Sequence, residues 1–387
     1  MSTKKGIGLT FIVTDPLWES LEYSTTLHHY DSYSHTIAAI GGYWTASLTI
    51  STTIPQAEDW FANGLGRHIE VRGPSLQVIW EGFVNKISLA MGTLTAERGP
   101  YINIANRVKI VYSTIDTSTD PPIMGVRIST AYTDDTISQG KYGICTRILS
   151  TGGATAATAT QIRDTFLAEN KDPETTQSLN IGQSGGGGAT VTLELFGYAQ
   201  LMEHYPYNTT TTGTRTFTLR LEDVLAAEPN ALYSTDYSGI ASNTSTVPYY
   251  DNDDRSGWQV IKDILAKGDS GYDRYTFGIY AGRKAFYTEI PSTVEYLHRI
   301  RDNKQRIDRI IGGNEVMPWD VLPARWVLVS DFLVGRNVSG SELRDDPRNL
   351  FIESVTYTAP WGLQITGAKV ATMPQLLARL GLSGIGA

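Results

Sequence analysis

The chain of 387 residues carries a single cysteine, Cys145, so no disulfide can form within it and no cysteine-based zinc site exists. Apolar runs are short. No stretch approaches the roughly 18 consecutive apolar residues that cross a bilayer. After Lys4-Lys5, the residues Asp15, Glu19 and Glu22 interrupt the place where a signal peptide would have its apolar region. The expectation is synthesis and folding in a cytoplasm, with the sequons at Asn208, Asn243 and Asn337 left without sugar. Positive charge is in deficit: 32 Lys and Arg stand against 40 Asp and Glu, a net charge of −8 and a pI near 5.3. Such a surface does not hold a polyanion, which excludes stable nucleic-acid binding and leaves room for transient passage of DNA along a like-charged wall.

Catalytic signatures are missing too. There is no Gly-x-Ser-x-Gly elbow, and Cys145 has no histidine near it in sequence and reads as a small buried residue. The glycines Gly185–Gly188 are not followed by the Lys-Ser/Thr of a phosphate loop and read as a linker at a domain boundary. His28, His29 and His35 fit no metal-ligand spacing and read as a polar loop at an interface. The acidic run Asp251–Asp254 lacks the order and the bidentate Glu of a calcium loop and reads as a solvated turn. Arg344-Asp-Asp-Pro-Arg348 is either a self-paired surface turn or an ion-pair network between subunits. Nothing singles out a carboxylate pair for glycoside hydrolysis among the 40 acidic residues. No catalytic, cofactor-binding or metal-ligating residue is therefore assigned, and the chain reads as no enzyme.

What is abundant is strand. Hydrophobic residues make up 41 % and charged residues 19 %, with 21 Tyr and 8 Trp, a composition suited to strands and large interfaces. Residues 7–13 form an apolar run, and 37–50 read as two strands about Gly41-Gly42, with Trp44, Ala46, Leu48 and Ile50 opposite Thr45, Ser47 and Thr49. Pro55 opens a short helix with Glu58 and Asp59 in its first turn, ending at Asn63-Gly64. A strand at 107–112 follows, and a helix over 158–169 turns Ile162, Phe166 and Leu167 to one face. Val191–Gly197 and Arg215–Leu221 read as alternating strands joined by a loop at Thr209–Thr212. A helix spans 257–267 with Trp258, Ile261 and Leu265 in phase. A hairpin turns at Ala281-Gly-Arg283, and strands return at 326–329, 351–358 and 362–370. There is no βαβ rhythm, so a doubly wound enzyme fold is not expected.

Several stretches together resemble one family. His68–Lys86 describes a hairpin whose second strand ends in Trp80-Glu81-Gly82, a pattern similar to the tube-forming barrels of tailed-bacteriophage tail-tip proteins. Ser138–Gly143, followed by the helix Ile162–Glu169, resembles the insert domain of phage baseplate hubs, and Phe351–Tyr357 matches a hub's second barrel. The resemblance implies a mainly β (α+β) chain. Its parts would be a tube-like antiparallel β-barrel at 1–115, an inserted α/β domain at 116–188, a second barrel from 189–245 and 320–387, and a second α/β insert at 246–319. It further implies a homotrimer whose six barrels match a sixfold tail tube to a threefold spike or fibre. Tube, distal tail and spike or fibre proteins would be its partners, DNA would pass through the lumen, and the virion tail tip would be its place. Acidic side chains are expected on the lumen wall. No lysozyme or peptidase extension is recognisable, so wall hydrolysis is not implied. The competing readings are a distal tail or other baseplate component, and a carbohydrate-binding or glycan-cleaving β-protein.

Overall fold

The structure is a computed structural model that describes residues 8–16, 24–27, 29–116, 123–179, 188–207, 213–247, 255–269, 274–299, 306–330 and 349–368. His28, Gly185–Gly187, Thr209–Thr212, Asp251–Asp254 and Arg344–Arg348 lie outside the described residues.

Strands β1 (Thr10–Thr14), β2 (Ser24–Leu27), β3 (Ser32–Ala38) and β4 (Ile40–Thr52) lead into helix α1 (Ile54–Asn63) and strands β5 (His68–Arg72), β6 (Val78–Met91) and β7 (Leu94–Arg98). A small unit follows, of β8 (Arg107–Asp116), β9 (Ile123–Ser129), β10 (Thr133–Asp134), α2 (Thr136–Tyr142), β11 (Thr146–Gly153) and α3 (Ala156–Asn170). Strands β12 (Thr175–Leu179) and β13 (Ala189–Phe196) precede a helical stretch of β14 (Arg215–Thr216), α4 (Phe217–Ala226), β15 (Thr246–Val247) and α5 (Gly257–Lys267). The chain returns to strands with β16 (Tyr275–Tyr280), β17 (Lys284–Glu289), β18 (Val294–Arg299), β19 (Ile307–Arg309), β20 (Glu315–Val316), β21 (Trp326–Ser330), β22 (Asn349–Thr358) and β23 (Gly362–Ala368).

The fold is mainly β. One large curled sheet joins 17 strands, and β8–β11 form a separate sheet of 4 packed against α3. Alternation drives the large sheet: in β4, Ala46, Leu48 and Ile50 are buried while Thr45, Ser47 and Thr49 are not. The apolar halves of β1, β3, β4, β5, β6 and β13 meet in one core with Phe11, Leu48, Ile69, Trp80 and Leu193 fully enclosed. Helix α1 covers that core with Ala57 and Trp60. A second cluster, including Tyr296, Val327, Ile352 and Val355, lies under β18, β21 and β22.

Five local expectations change. The turn between β3 and β4 falls at Ala39. Gly41 and Gly42 lie inside β4, where a Cβ on Gly42 would meet the Ile279 carbonyl at 2.5 Å, so the glycines admit the parallel approach of β16. Strand β6 does not end at Trp80-Glu81-Gly82 but continues to Met91. Glu58 and Asp59 sit beyond the first turn of α1, which carries no acid. Arg215–Leu221 is not a strand: from Phe217 onward it is α4, because Thr216 caps Leu219 and the buried residues Phe217, Leu221, Val224 and Leu225 follow helical spacing. Ala189–Phe196, expected with the strands that follow it, instead pairs with β4 on one side and β6 on the other, inside the large sheet among the strands of residues 40–91.

The remaining helices follow their caps. Thr155 starts α3, and Ser256 with Gln259 forms a capping box at α5, which buries Trp258, Ile261 and Ile264. The hairpins β5–β6 and β16–β17 form as the sequence indicates.

Candidate functional site: a hydroxyl-covered sheet face

The side of the large sheet turned away from the core is unusual in composition. Register defines it strand by strand, because directly opposed residues share a face. From one edge inward it presents Thr176 and Ser178 of β12, Thr95 and Glu97 of β7, and Lys86, Ser88 and Ala90 of β6. Next come Thr190, Thr192 and Glu194 of β13, then Thr45, Ser47, Thr49 and Ser51 of β4. It continues through Ser32, Ser34 and Thr36 of β3, Ser354, Thr356 and Thr358 of β22, and Gln364 and Thr366 of β23. None of these residues is buried.

Apart from Lys86, Ala90, Glu97, Glu194 and Gln364, every residue named is Ser or Thr; at the end of β13 the half-buried Phe196 stands opposite Thr45 on the same side. Hydroxyls couple across strands: Thr36 to Thr356 at 2.9 Å, Thr49 to Thr192 at 3.4 Å, and Ser88 donating to Glu97 at 3.2 Å. Lys86 is the one cation in this set and is held by Glu97 at 2.8 Å. A recess of about 390 Å³ opens between β6, β7, β12 and β13, lined chiefly by Ser and Thr. Chemically the face offers dense, weak, neutral hydrogen bonding. It has no cation free to neutralise phosphate, and the one aromatic ring in its register, Phe196 opposite Thr45, is half-buried edge-on against Phe83.

Two buried polar clusters lie elsewhere. Glu81 of β6 is 2 % exposed and accepts hydrogen bonds from the backbone N–H groups of Gly282, at 3.0 Å, and Arg283. Burial pushes its carboxyl up to about 7, against the downward pull of those two donors. Glu81, Glu70 and His68 form the one grouping among the described residues with metal-ligand proximity. Each is already engaged: Glu70 pairs with Arg72, and His68 Nδ1 meets Tyr198 Oη at 2.7 Å. Burial lowers the His68 imidazole to about 4, so the ring is neutral. The arrangement holds the β16–β17 turn against β6.

The second cluster surrounds Cys145, which is buried as expected. Burial pushes its thiol up to about 11. A cavity of about 30 Å³, room for one or two waters, is lined by Cys145, Arg147, His204, Glu228 and Asn230 among others. Sequence reasoning missed His204 as a neighbour because they are far apart in the chain. Burial holds His204 down to about 4, so a neutral imidazole and a neutral thiol share the cavity and neither is activated. Asn230 forks onto the Ile144 backbone, accepting from its N–H at 2.8 Å and donating to its carbonyl at 3.1 Å, which ties the small unit to the helical stretch.

The histidines do not gather. His29 is exposed, whereas His35 is not a loop residue: it sits in β3, buried between Tyr33 and Tyr357, with its imidazole lowered to about 3 by burial. Trp80 is fully buried beneath β6. The hydroxyl face was half visible in sequence, as the polar partners of alternating strands; Thr45, Ser47 and Thr49 stand opposite Ala46, Leu48 and Ile50.

No protein-family model matches the chain, and no curated protein matches it. Fold and surface together define a mainly β protein whose most distinctive exposed feature is a wide, nearly neutral hydroxyl wall.

Proposed function

We propose that this chain is a structural subunit of a tailed-phage tail tip. It acts as a baseplate hub that caps the tail tube, joins sixfold tube to threefold spike or fibre as a homotrimer, and lets DNA pass. The observation that carries this reading is the hydroxyl face. A conduit for DNA needs a wall that wets readily and does not retain phosphate; retention comes from Lys and Arg, which release counterions on binding. The face has Lys86 alone, already paired. Its hydroxyls exchange hydrogen bonds with water at little net cost either way. The non-stick wall is thus one of neutral hydroxyls, with Glu97 and Glu194 as its acids, in place of the broadly acidic lining that the net charge suggested. The mainly β architecture and the engaged state of every buried polar cluster described above support a role in assembly.

The test is location. Virions labelled with an antibody to this chain, or carrying a tag at exposed Ile311, should show label at the distal end of the tail. Absence of the chain from purified virions, or label elsewhere on the particle, overturns the proposal.

A further inference from the structure

Leaving a tryptophan in water forfeits the free energy of burying a large ring. Among the described residues the chain encloses or half-encloses every tryptophan except one. Trp60, Trp80, Trp258, Trp319 and Trp326 are buried, whereas Trp361, in the turn from β22 to β23, is 60 % exposed. It is not a loose side chain. Its ring centroid lies 5.9 Å from that of Trp319, with the planes 30° apart, and Trp319 stands edge-on against Tyr357 at 5.8 Å. Both supporting rings are buried. Tyr357 also donates to the Pro360 carbonyl at 3.0 Å, which fixes the turn that carries Trp361. One face of the exposed ring thus rests on a firm base, and the other meets solvent.

Polar groups stand beside that base. Trp319 belongs to a short 3-10 turn, Pro318–Asp320, so Asp320 follows it directly. Gln77, from the turn between β5 and β6, donates to the Asp320 carboxylate. This carboxyl is half-buried, and burial raises it above the ordinary carboxylate range against the pull of Arg309 and Gln77. A carboxylate stripped of part of its water gains from further donors. Two more polar atoms, Nε1 of Trp319 and Oε1 of Gln77, have no hydrogen-bond partner. A donor and an acceptor are left unmatched next to the exposed ring, a condition that native structures keep sparingly.

We propose that Trp361, with Asp320 and Gln77 at its side, is a contact site for one neutral pyranose ring of a glycan. The C–H face of a pyranose stacks on an aromatic ring, and its rim of hydroxyls donates to a carboxylate and exchanges hydrogen bonds with an amide. Other ligands match less well. A guanidinium would stack too, but Arg309 already acts on Asp320 and repels a second cation. A nucleotide would bring phosphate against a carboxylate. A protein surface needs more room: 60 % of a side chain of about 250 Å² leaves about 150 Å², against about 800 Å² per partner in a stable interface. This site is independent of the hub reading.

The experiment uses the full chain in solution with four neutral tetrasaccharides: cellotetraose, maltotetraose, mannotetraose and N-acetylated chitotetraose. Saturation-transfer NMR should show at least one of them bound, with the strongest transfer to its ring C–H protons. Trp361→Ala should weaken that binding about tenfold or more, and Trp361→Phe, which keeps a ring face, should weaken it less. Asp320→Ala should weaken it as well. Thermal unfolding of Trp361→Ala should stay close to wild type, since the ring is exposed, so that lost binding is not lost fold. If none of the four sugars binds, the proposal is overturned. Equal binding by wild type and Trp361→Ala places the sugar elsewhere and overturns it too. A Trp361→Ala chain that loses an oligomeric state of the wild type, with no sugar bound by either, marks the ring as a contact between copies, which is the third way the proposal fails.

Discussion

Glu81→Gln isolates the energetics of one buried carboxyl. In the folded chain Glu81 titrates near 7, against an ordinary value of 4.5, chiefly because burial disfavours the charged form. Between those two pH values the folded state holds a proton that the unfolded state has released. Stability contributed by this group is therefore present below about pH 4.5 and is lost as pH rises through 7. At 1.36 kcal/mol per pH unit the loss is about 3 kcal/mol. Three histidines act in the opposite sense. His35, His68 and His204 are held neutral in the fold, so their contribution is full above pH 6.5 and falls away toward pH 3 to 4. The wild-type curve alone mixes these effects; the difference between wild type and variant does not. Glutamine keeps one acceptor for Gly282 and Arg283 and sets its amide against the other N–H, at a cost of about 1–3 kcal/mol. The variant should be less stable than wild type by that amount near pH 5, and near pH 8 level with it or more stable by up to about 2 kcal/mol. Urea midpoints from pH 5 to 8 measure this directly. Parallel wild-type and variant curves would refute the reasoning.

Trp80→Ala should cost roughly 3–5 kcal/mol, since the ring is fully enclosed and leaves a cavity, and unchanged thermal unfolding would show that the site collapses without loss. Asn230→Ala should cost about 1–3 kcal/mol by orphaning the Ile144 amide and carbonyl, with hydrogen exchange at Ile144 as the local readout. Cys145 should resist a thiol reagent at pH 7.5 in the native chain and react fully in denaturant; equal rates would contradict its burial. Thr49→Lys with Thr192→Lys should slow DNA ejection in a salt-dependent way if these hydroxyls face the lumen, and unaltered ejection kinetics would place them elsewhere.

Local pattern made the strand character of this chain legible, because period-two alternation is written within a few residues. Leu48 and Thr49 declare their sides without help from the rest of the molecule. Arg215–Leu221 shows where that fails: its alternation is real, but Val224 and Leu225, just beyond, turn the buried set into a helical stripe. The placement of Val191, Leu193 and Leu195 was illegible for another reason, since an alternating apolar strand fits any sheet with a free edge. Glu81 looked like the end of a strand next to a glycine; its partners at Gly282 and Arg283 are some 200 positions away. The hydroxyl face was visible one strand at a time and became a surface through the register of eight.

The position of β13 bears on how the chain is made. It lies between β4 and β6, yet it is synthesised after the small unit of β8–β11 and its helices. β3 waits longer still, for β22. A nascent chain therefore emerges with β4 and β6 unable to complete their pairing, and the gap between them stays open until Phe196 has left the ribosome. Non-local pairing of this kind folds slowly and exposes edges meanwhile. A fragment ending at residue 115 would keep most of the first core's sequence and still lack the strand at its centre, so it should collect as aggregate when expressed alone. The same fragment supplied with a peptide of residues 188–197 should become soluble.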